Sequence, residues 1–214
     1  MKVTHIYFIR HGESEGNKRN SFLGHTDLDI TEKGHVQAEK TAEFLQDIHA
    51  DVIYSSDLKR AYNTGLHTAK KKGMEIIKNE NLREIFAGEW ENRLFEDLIV
   101  EYEEDFRIWR ENIGWARCTG GESVEELQER FVSEVKKIAK ENEGKTIFIF
   151  THATPLRVLK AALDGLTLDE IQSVPWASNA SVTHVVCEGD GFRIVDYSID
   201  HFMGDVATFL PKNV

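Results

Sequence analysis

Cysteine and positive charge are both scarce in this chain, and each shortage removes a class of protein. The sequence has two cysteines, Cys118 and Cys187, which form no C-x-x-C pair. Neither a disulfide framework nor a zinc ribbon is supported, and both are read as small reduced side chains. Lys and Arg number 26 against 37 Asp and Glu, for a formal charge of -11. That excess argues against nucleic acid or an anionic membrane as partner, because both demand clustered positive charge. Any anion site must therefore be local. No stretch of about 18 apolar residues occurs, and residues 1–9 lack the basic start and apolar run of a secretory signal, so the expected location is cytoplasmic. Nine histidines are present but no H-E-x-x-H, and His11-Gly12-Glu13 has no downstream P-C-x-x-C of the zinc deaminase kind, so no metal is expected. A P-loop kinase is disfavoured by the absence of G-x-x-x-x-G-K-[ST].

What remains is a chain of 214 residues, 41% hydrophobic and 29% charged, the balance of one globular domain over 1–214 with a sizeable core. The apolar run Ile6-Tyr7-Phe8-Ile9 stops abruptly in Arg10-His11-Gly12-Glu13. This reads as a strand buried on both faces that empties into a polar loop, and ligands of parallel-sheet folds sit beyond the carboxyl ends of the strands. A histidine can attack phosphorus, a neighbouring guanidinium can hold phosphoryl oxygens, and a glycine lets backbone approach a bulky anion. Taken alone, the tripeptide more often marks a hydrogen-bonded loop histidine and a surface cation, and the rest of the chain has to shift that balance.

The pattern recurs along the chain. Ser21 to Ile30, rich in turn formers, is expected to be an ordered loop rather than a strand. Thr31 then caps a helix carrying Ala38, Thr41, Ala42, Leu45 and Ile48. Asp51 to Tyr54 is a short strand ending in Ser55-Ser56-Asp57, with Asp57 placed to cap a helix through Leu58, Ala61, Tyr62 and Leu66 that ends near Gly73. Met74, Ile76 and Ile77 suggest a third strand, and Arg83 to Gly88 a loop. Phe95, Leu98, Ile99, Tyr102, Phe106 and Trp109 fall at helical spacing on an acidic segment, predicting one helix with a buried stripe. Ile113 to Gly121 reads as a loop. Ser123 and Glu126 form a capping box for a long helix ending before Gly144. Thr146 to Phe150 is the clearest buried strand after the first, running into Thr151-His152-Ala153, and Pro155 starts the next helix. Ser181–Cys187 and Phe192–Ser198 flank Glu188-Gly189-Asp190-Gly191 as an antiparallel hairpin. This alternation predicts an α/β three-layer sandwich with a mainly parallel sheet. Parallel strands would bring Arg10, His11, Arg60 and His152 to one edge, within reach of Glu84. Such a pocket suits a phosphate, with backbone N–H groups near Ala153 as further donors.

Taken in order, Arg10-His11-Gly12-Glu13-Ser14-x-x-Asn17, Gly24-x-x-Asp27-x-x-x-Thr31-x-x-Gly34, Ser55-Ser56-Asp57-Leu58-x-Arg60-Ala61-x-x-Thr64, Leu82-Arg83-Glu84 with Gly88-x-Trp90-Glu91, and Thr151-His152-Ala153 resemble the histidine phosphatase superfamily, which includes the cofactor-dependent phosphoglycerate mutases. The resemblance spans most of the chain. It implies the phosphoglycerate mutase-like fold, hydrolysis of a small-molecule phosphomonoester, and no metal or other cofactor. It also implies that His11 is the nucleophile and forms a phosphohistidine, that Arg10, Arg60 and His152 bind the phosphoryl group, and that Asn17, Gly24 and Ala153 line the phosphate site. Glu84 is then the proton donor to the leaving oxygen.

There are departures. Thr151-His152-Ala153-Thr154 stands where members often have Ser-His-Gly-Gly, Leu23 where mutases carry a hydroxyl, and an acidic stretch from Asn92 to Asn112 where mutases carry a basic insertion. Hydrolysis is therefore expected over phosphoryl exchange, although Arg93, Arg107, Arg110 and Arg117 keep a mutase open. His25 and Trp90 are candidates for the substrate mouth or for ordinary packing. Cys187 and Arg193 have the C-x5-R spacing of cysteine-dependent phosphatases, but Glu188 and Asp190 would repel phosphate there. A module that kept the pocket only to sense a phosphorylated ligand is the reading from another class. Sugar phosphates, phosphoglycerates and ribazole phosphate all fit as substrate, and nothing in the sequence speaks to oligomeric state.

Overall fold

The computed structural model describes residues 2–208; position 1 and positions 209–214 of the expected 1–214 unit lie outside them. In chain order the elements are β1 (Val3–Arg10), α1 (Glu15–Arg19), β2 (Ser21–Phe22), α2 (Glu32–Phe44), β3 (Val52–Ser55), α3 (Lys59–Lys72), β4 (Ile76–Lys78), β5 (Arg93–Leu94), α4 (Phe95–Glu101), α5 (Glu103–Glu111), α6 (Val124–Glu141), β6 (Thr146–Thr151), α7 (Ala153–Leu163), β7 (Val182–Glu188) and β8 (Gly191–Ile199). The main sheet has the order β4-β3-β6-β1-β7-β8. Its first four strands are parallel, and β7 and β8 close it as the expected antiparallel hairpin.

β1 and β6 lie side by side at the centre, which is why their sequences are apolar without alternation. Ile6 and Phe8 pack to one face with Phe131, Val135 and Ile138 of α6. Ile9 packs to the other with Leu45, Ile53 and Phe148. Their register pairs Arg10 with Thr151, so the next residues on each chain, His11 and His152, emerge together. β3 is staggered by the same logic: Ser55 pairs with Phe150, which delivers Ser56 beside His152.

Four local expectations need correction. Ser21–Phe22 is not loop: it pairs with Arg93–Leu94 in a two-stranded sheet. Asp57 does not cap α3. Its carboxylate is taken by the Arg83 guanidinium, and the first N–H of the helix, on Lys59, donates instead to Asp27 Oδ1 at 2.7 Å. Helix α2 stops at Phe44, so buried Leu45 and half-buried Ile48 follow it in a turn. The helix expected across Phe95 to Trp109 breaks at Tyr102 (φ -130°, ψ 44°) into α4 and α5. The break turns Phe95 and Trp109, at opposite ends of the segment, toward the same cavity. Among the described residues no helix is long and apolar enough to cross a membrane.

Candidate active site

A cavity of about 430 Å³ opens at the carboxyl ends of β1 and β3, lined by Arg10, His11, Arg60, Glu84 and Ala153 among others. His11 is 4% exposed, and its Nδ1 is held at 2.7 Å from the Gly12 carbonyl. That bond places the proton on Nδ1, because a carbonyl only accepts, and leaves Nε2 with its lone pair. Burial, then the charges of Arg60 and Arg10, push the His11 pKa well below its ordinary value, against the smaller opposing effect of the Gly12 bond. The ring is thus a neutral imidazole at neutral pH.

The two guanidiniums are aimed by backbone carbonyls rather than by carboxylates. Arg10 Nη1 donates to Ala177 O at 2.6 Å. Arg60 donates to Thr26 O at 2.9 Å and Gly24 O at 2.7 Å. Both are buried, and burial brings each down to about 10, partly opposed by the Glu84 charge. They remain cations at neutral pH. Two buried positive groups without a bonded carboxylate are costly on their own, which is the signature of a site waiting for an anion.

His152 is fully buried and does not itself line the cavity. Its ring lies 5.3 Å from that of His11, and Nε2 sits 2.9 Å from Ser56 Oγ. Nδ1 has no partner among the described residues. Burial, then Arg60 and His11, push its pKa well below the ordinary value. Glu84 is half-buried at the cavity wall. Oε1 accepts from Ile85 N at 2.8 Å and Oε2 from Thr154 N at 3.3 Å, in the first turn of α7. Asn17 is the N3 residue of the capping box of α1. Its Oδ1 accepts from Ser14 N at 3.1 Å and Asn179 Nδ2 at 3.2 Å, leaving its amide nitrogen to the cavity it lines.

Gly12 acts differently from expectation. Gly12 does not line the cavity, and its N–H is spent on Thr64 Oγ1 at 2.9 Å. A Cβ there would lie 2.6 Å from Gly34 O, so its role is to let the loop pack against the start of α2. Gly24 does line the cavity with φ +50°, and a Cβ would meet Ala87 at 2.4 Å while its carbonyl orients Arg60.

His25 and Trp90 are not lining residues: His25 Nε2 lies 2.9 Å from Glu84 O, and Trp90 is in the core with its N–H on Thr119. Arg93, Arg107 and Arg117 pair with Glu101, Glu111 and Glu126, and with Arg110 they lie off the cavity. Cys187 and Arg193 sit on the two strands of the closing hairpin, paired with Phe192 and Val186, and do not line this cavity. Among the described residues, no three His, Cys, Asp or Glu are placed to hold a metal ion.

Several neighbours carried no sequence signal. Asn179 is 1% exposed and donates to His11 O at 3.1 Å, while Ala180, in the left-handed region at φ 56°, gives its N–H to the same carbonyl at 3.2 Å. They sit in a short polar loop before β7, and only the fold brings that loop to β1. Glu13 and Lys33, paired at 3.1 Å, and an aromatic wall complete the cavity.

Strand-end histidine, paired guanidiniums and an acid on a neighbouring loop define a phosphoryl-transfer site built on imidazole. The sequence profile of the histidine phosphatase superfamily (branch 1) matches residues 6–200, and the chain belongs to that superfamily. It is a phosphatase of small phosphate esters by class. Among particular relatives, it is 34% identical over 200 residues to phosphoserine phosphatase 1 of Hydrogenobacter thermophilus, covering 94% of each chain. It is 30% identical over 187 residues to the 2,3-bisphosphoglycerate-dependent phosphoglycerate mutase of Bartonella tribocorum, covering 84% of this chain and 90% of the mutase. The solved structure of Bacillus stearothermophilus YhfR superposes with a TM-score of 0.90 at 28% identity, over 94% of this chain and 99% of that one.

Proposed function

We propose that the chain, working as one unit over 1–214, hydrolyses small phosphomonoesters through a phosphohistidine at His11. The observation that carries this is the His11 ring: Nδ1 is tied to a carbonyl, Nε2 is free, and two buried guanidiniums flank it. The Nε2 lone pair attacks phosphorus as the ester P–O bond breaks. Glu84, in its acid form, gives its proton to the departing alkoxide, which would otherwise leave poorly. A water then attacks phosphorus, Glu84 takes its proton, the P–N bond breaks and phosphate is released. Arg10 and Arg60, with Asn17 and the Ala153 N–H at the start of α7, hold the phosphoryl oxygens, and His152, buried beside the His11 ring with Nδ1 unpaired, is the further donor once the phosphoryl group is on His11. These donors are already in place, so the transition state is stabilised without reorganisation.

Hydrolysis rather than exchange is favoured by the shortage of further cations. Besides Arg10 and Arg60 the cation lining the cavity is Lys33, and it is neutralised by Glu13. A second phosphate would find no unpaired cation among the described residues that line the cavity. The net charge of -11 supports a small-molecule partner, and the two free, buried cysteines support a reducing, cytoplasmic setting. The test is release of p-nitrophenol from p-nitrophenyl phosphate in EDTA by the wild type and a His11→Ala variant. Turnover that depends on His11 supports the reading. Binding without turnover would instead make the chain a sensor of phosphorylated ligands.

A further inference from the structure

Away from the guanidiniums the cavity changes character. Its outer wall is Phe22, Leu23, Phe95, Trp109 and Trp176. Phe22 meets Trp109 edge-on at 4.9 Å between centroids and Phe95 at 6.0 Å, and Trp109 stacks on Trp176 at 6.4 Å. The wall is fixed from behind: the Arg157 guanidinium lies 4.2 Å from the Trp176 ring centroid and is held to Gln172 O at 2.8 Å. Leu23 packs so closely on Gly16 that a Cβ at Gly16 would lie 2.3 Å from its side chain. This is a preorganised apolar surface, and about 430 Å³ is far more room than one phosphate needs and falls in the range of sites for drug-sized organic ligands.

Resting on the phosphatase reading above, we infer that this aromatic wall is the leaving-group subsite and that it selects phosphomonoesters of apolar, ring-sized alcohols over those of amino acids or glycerate. A carboxylate or ammonium on the leaving group would have to shed water against aromatic rings. Of the charged side chains that line the cavity, Arg10, Arg60 and Glu84 belong to the phosphoryl end, and Glu13 and Lys33 satisfy each other, with Glu13 further bound by Thr31 Oγ1 at 2.9 Å. An apolar ring needs no such partner and gains by burial and by edge or face contacts with the aromatic rings.

The experiment compares kcat/KM for 3-phenylpropyl phosphate, propyl phosphate and L-phosphoserine. The first two differ little in leaving-group basicity, so their ratio reads the wall rather than the chemistry. The phenyl ester should exceed propyl phosphate by about tenfold to a hundredfold, the value of burying one aromatic ring, and phosphoserine should fall below both. In Phe95→Ala the phenyl-to-propyl ratio should drop several-fold; because Phe95 is half-buried at the start of a helix, circular dichroism confirms that the variant is folded. Equal rates for the two alkyl esters, or phosphoserine as the best of the three, would overturn the inference while leaving a working phosphohistidine enzyme intact. Hydrolysis of none of them, with no phosphoenzyme formed, would overturn the phosphatase reading and this inference with it.

Discussion

At the inner end of the cavity, charged and titratable groups are gathered by strand register. At the outer end, aromatic rings are gathered from the chain excursion between β4 and α6, which supplies Phe95 and Trp109, and from two segments outside it, which supply Phe22 and Trp176. The inner end repeats one device: a buried strand terminates and its next residue is polar, so β1, β3 and β6 contribute His11, Ser56 and His152 to one edge. The outer end has no such rule. Phe22 belongs to a two-residue strand, Phe95 and Trp109 to two helices meeting at Tyr102, and Trp176 to the segment before β7. Chemistry is therefore anchored to the most rigid part of the fold, and selectivity is assigned to its most irregular part.

The sharpest way to test this division begins with the nucleophile. His11→Ala should lower kcat for p-nitrophenyl phosphate by about 10⁴-fold or more, as removal of a covalent nucleophile does. A fall of tenfold would mean that the inner end merely positions water. Arg60→Ala is next, with a loss on the order of 10³-fold and loss of the rise in melting temperature that inorganic phosphate gives the wild type. Differential scanning fluorimetry across a phosphate series reads the second effect without any turnover.

Glu84→Gln separates the inner end from the leaving group. Alkyl phosphates, which need the proton, should slow by about 10²- to 10³-fold and activated aryl phosphates by less than about tenfold. Equal losses on both would show that Glu84 serves another purpose. Asn179→Ala is expected to cost the least, roughly tenfold and mainly in kcat, because its amide fixes the His11 carbonyl without touching the reacting atoms.

The histidines also set a pH dependence of stability that the aromatic end cannot share. His11 and His152 have folded-state pKa values below the ordinary histidine value of 6.5, so the unfolded chain binds protons more readily between the two values. Their contribution to stability is fully present above about pH 6.5 and is lost as pH falls through the window below it. Urea midpoints measured downward from about pH 8 should therefore drop once pH passes about 6.5, and bound phosphate, by offsetting the charges of Arg10 and Arg60, should blunt the drop.

The same contrast explains what could be read from the sequence. Arg10, His11 and His152 were legible because a buried parallel strand has an unmistakable apolar run and its end has an obligatory place, and Arg60 because it opens the helix that follows β3. The role of Asp57 is not legible in its own segment, because Arg83, from beyond β4, takes its carboxylate and Asp27, before α2, supplies the cap of α3. The stripe from Phe95 to Trp109 looked like one packed helix because helical spacing does not reveal a break at Tyr102. Only the break shows that two of its aromatics serve the cavity. Asn179 was invisible because its partner, His11, is 168 residues away in the chain.

Acid-labile phosphoenzymes are lost in ordinary quenches, so the most direct measurement is rapid alkaline quenching of the enzyme during turnover, followed by peptide mapping. A phosphate stable in base, labile in acid and located on His11 is expected. A phosphate on any other residue, or turnover at full rate with none on His11, would contradict a covalent imidazole at the centre of this site.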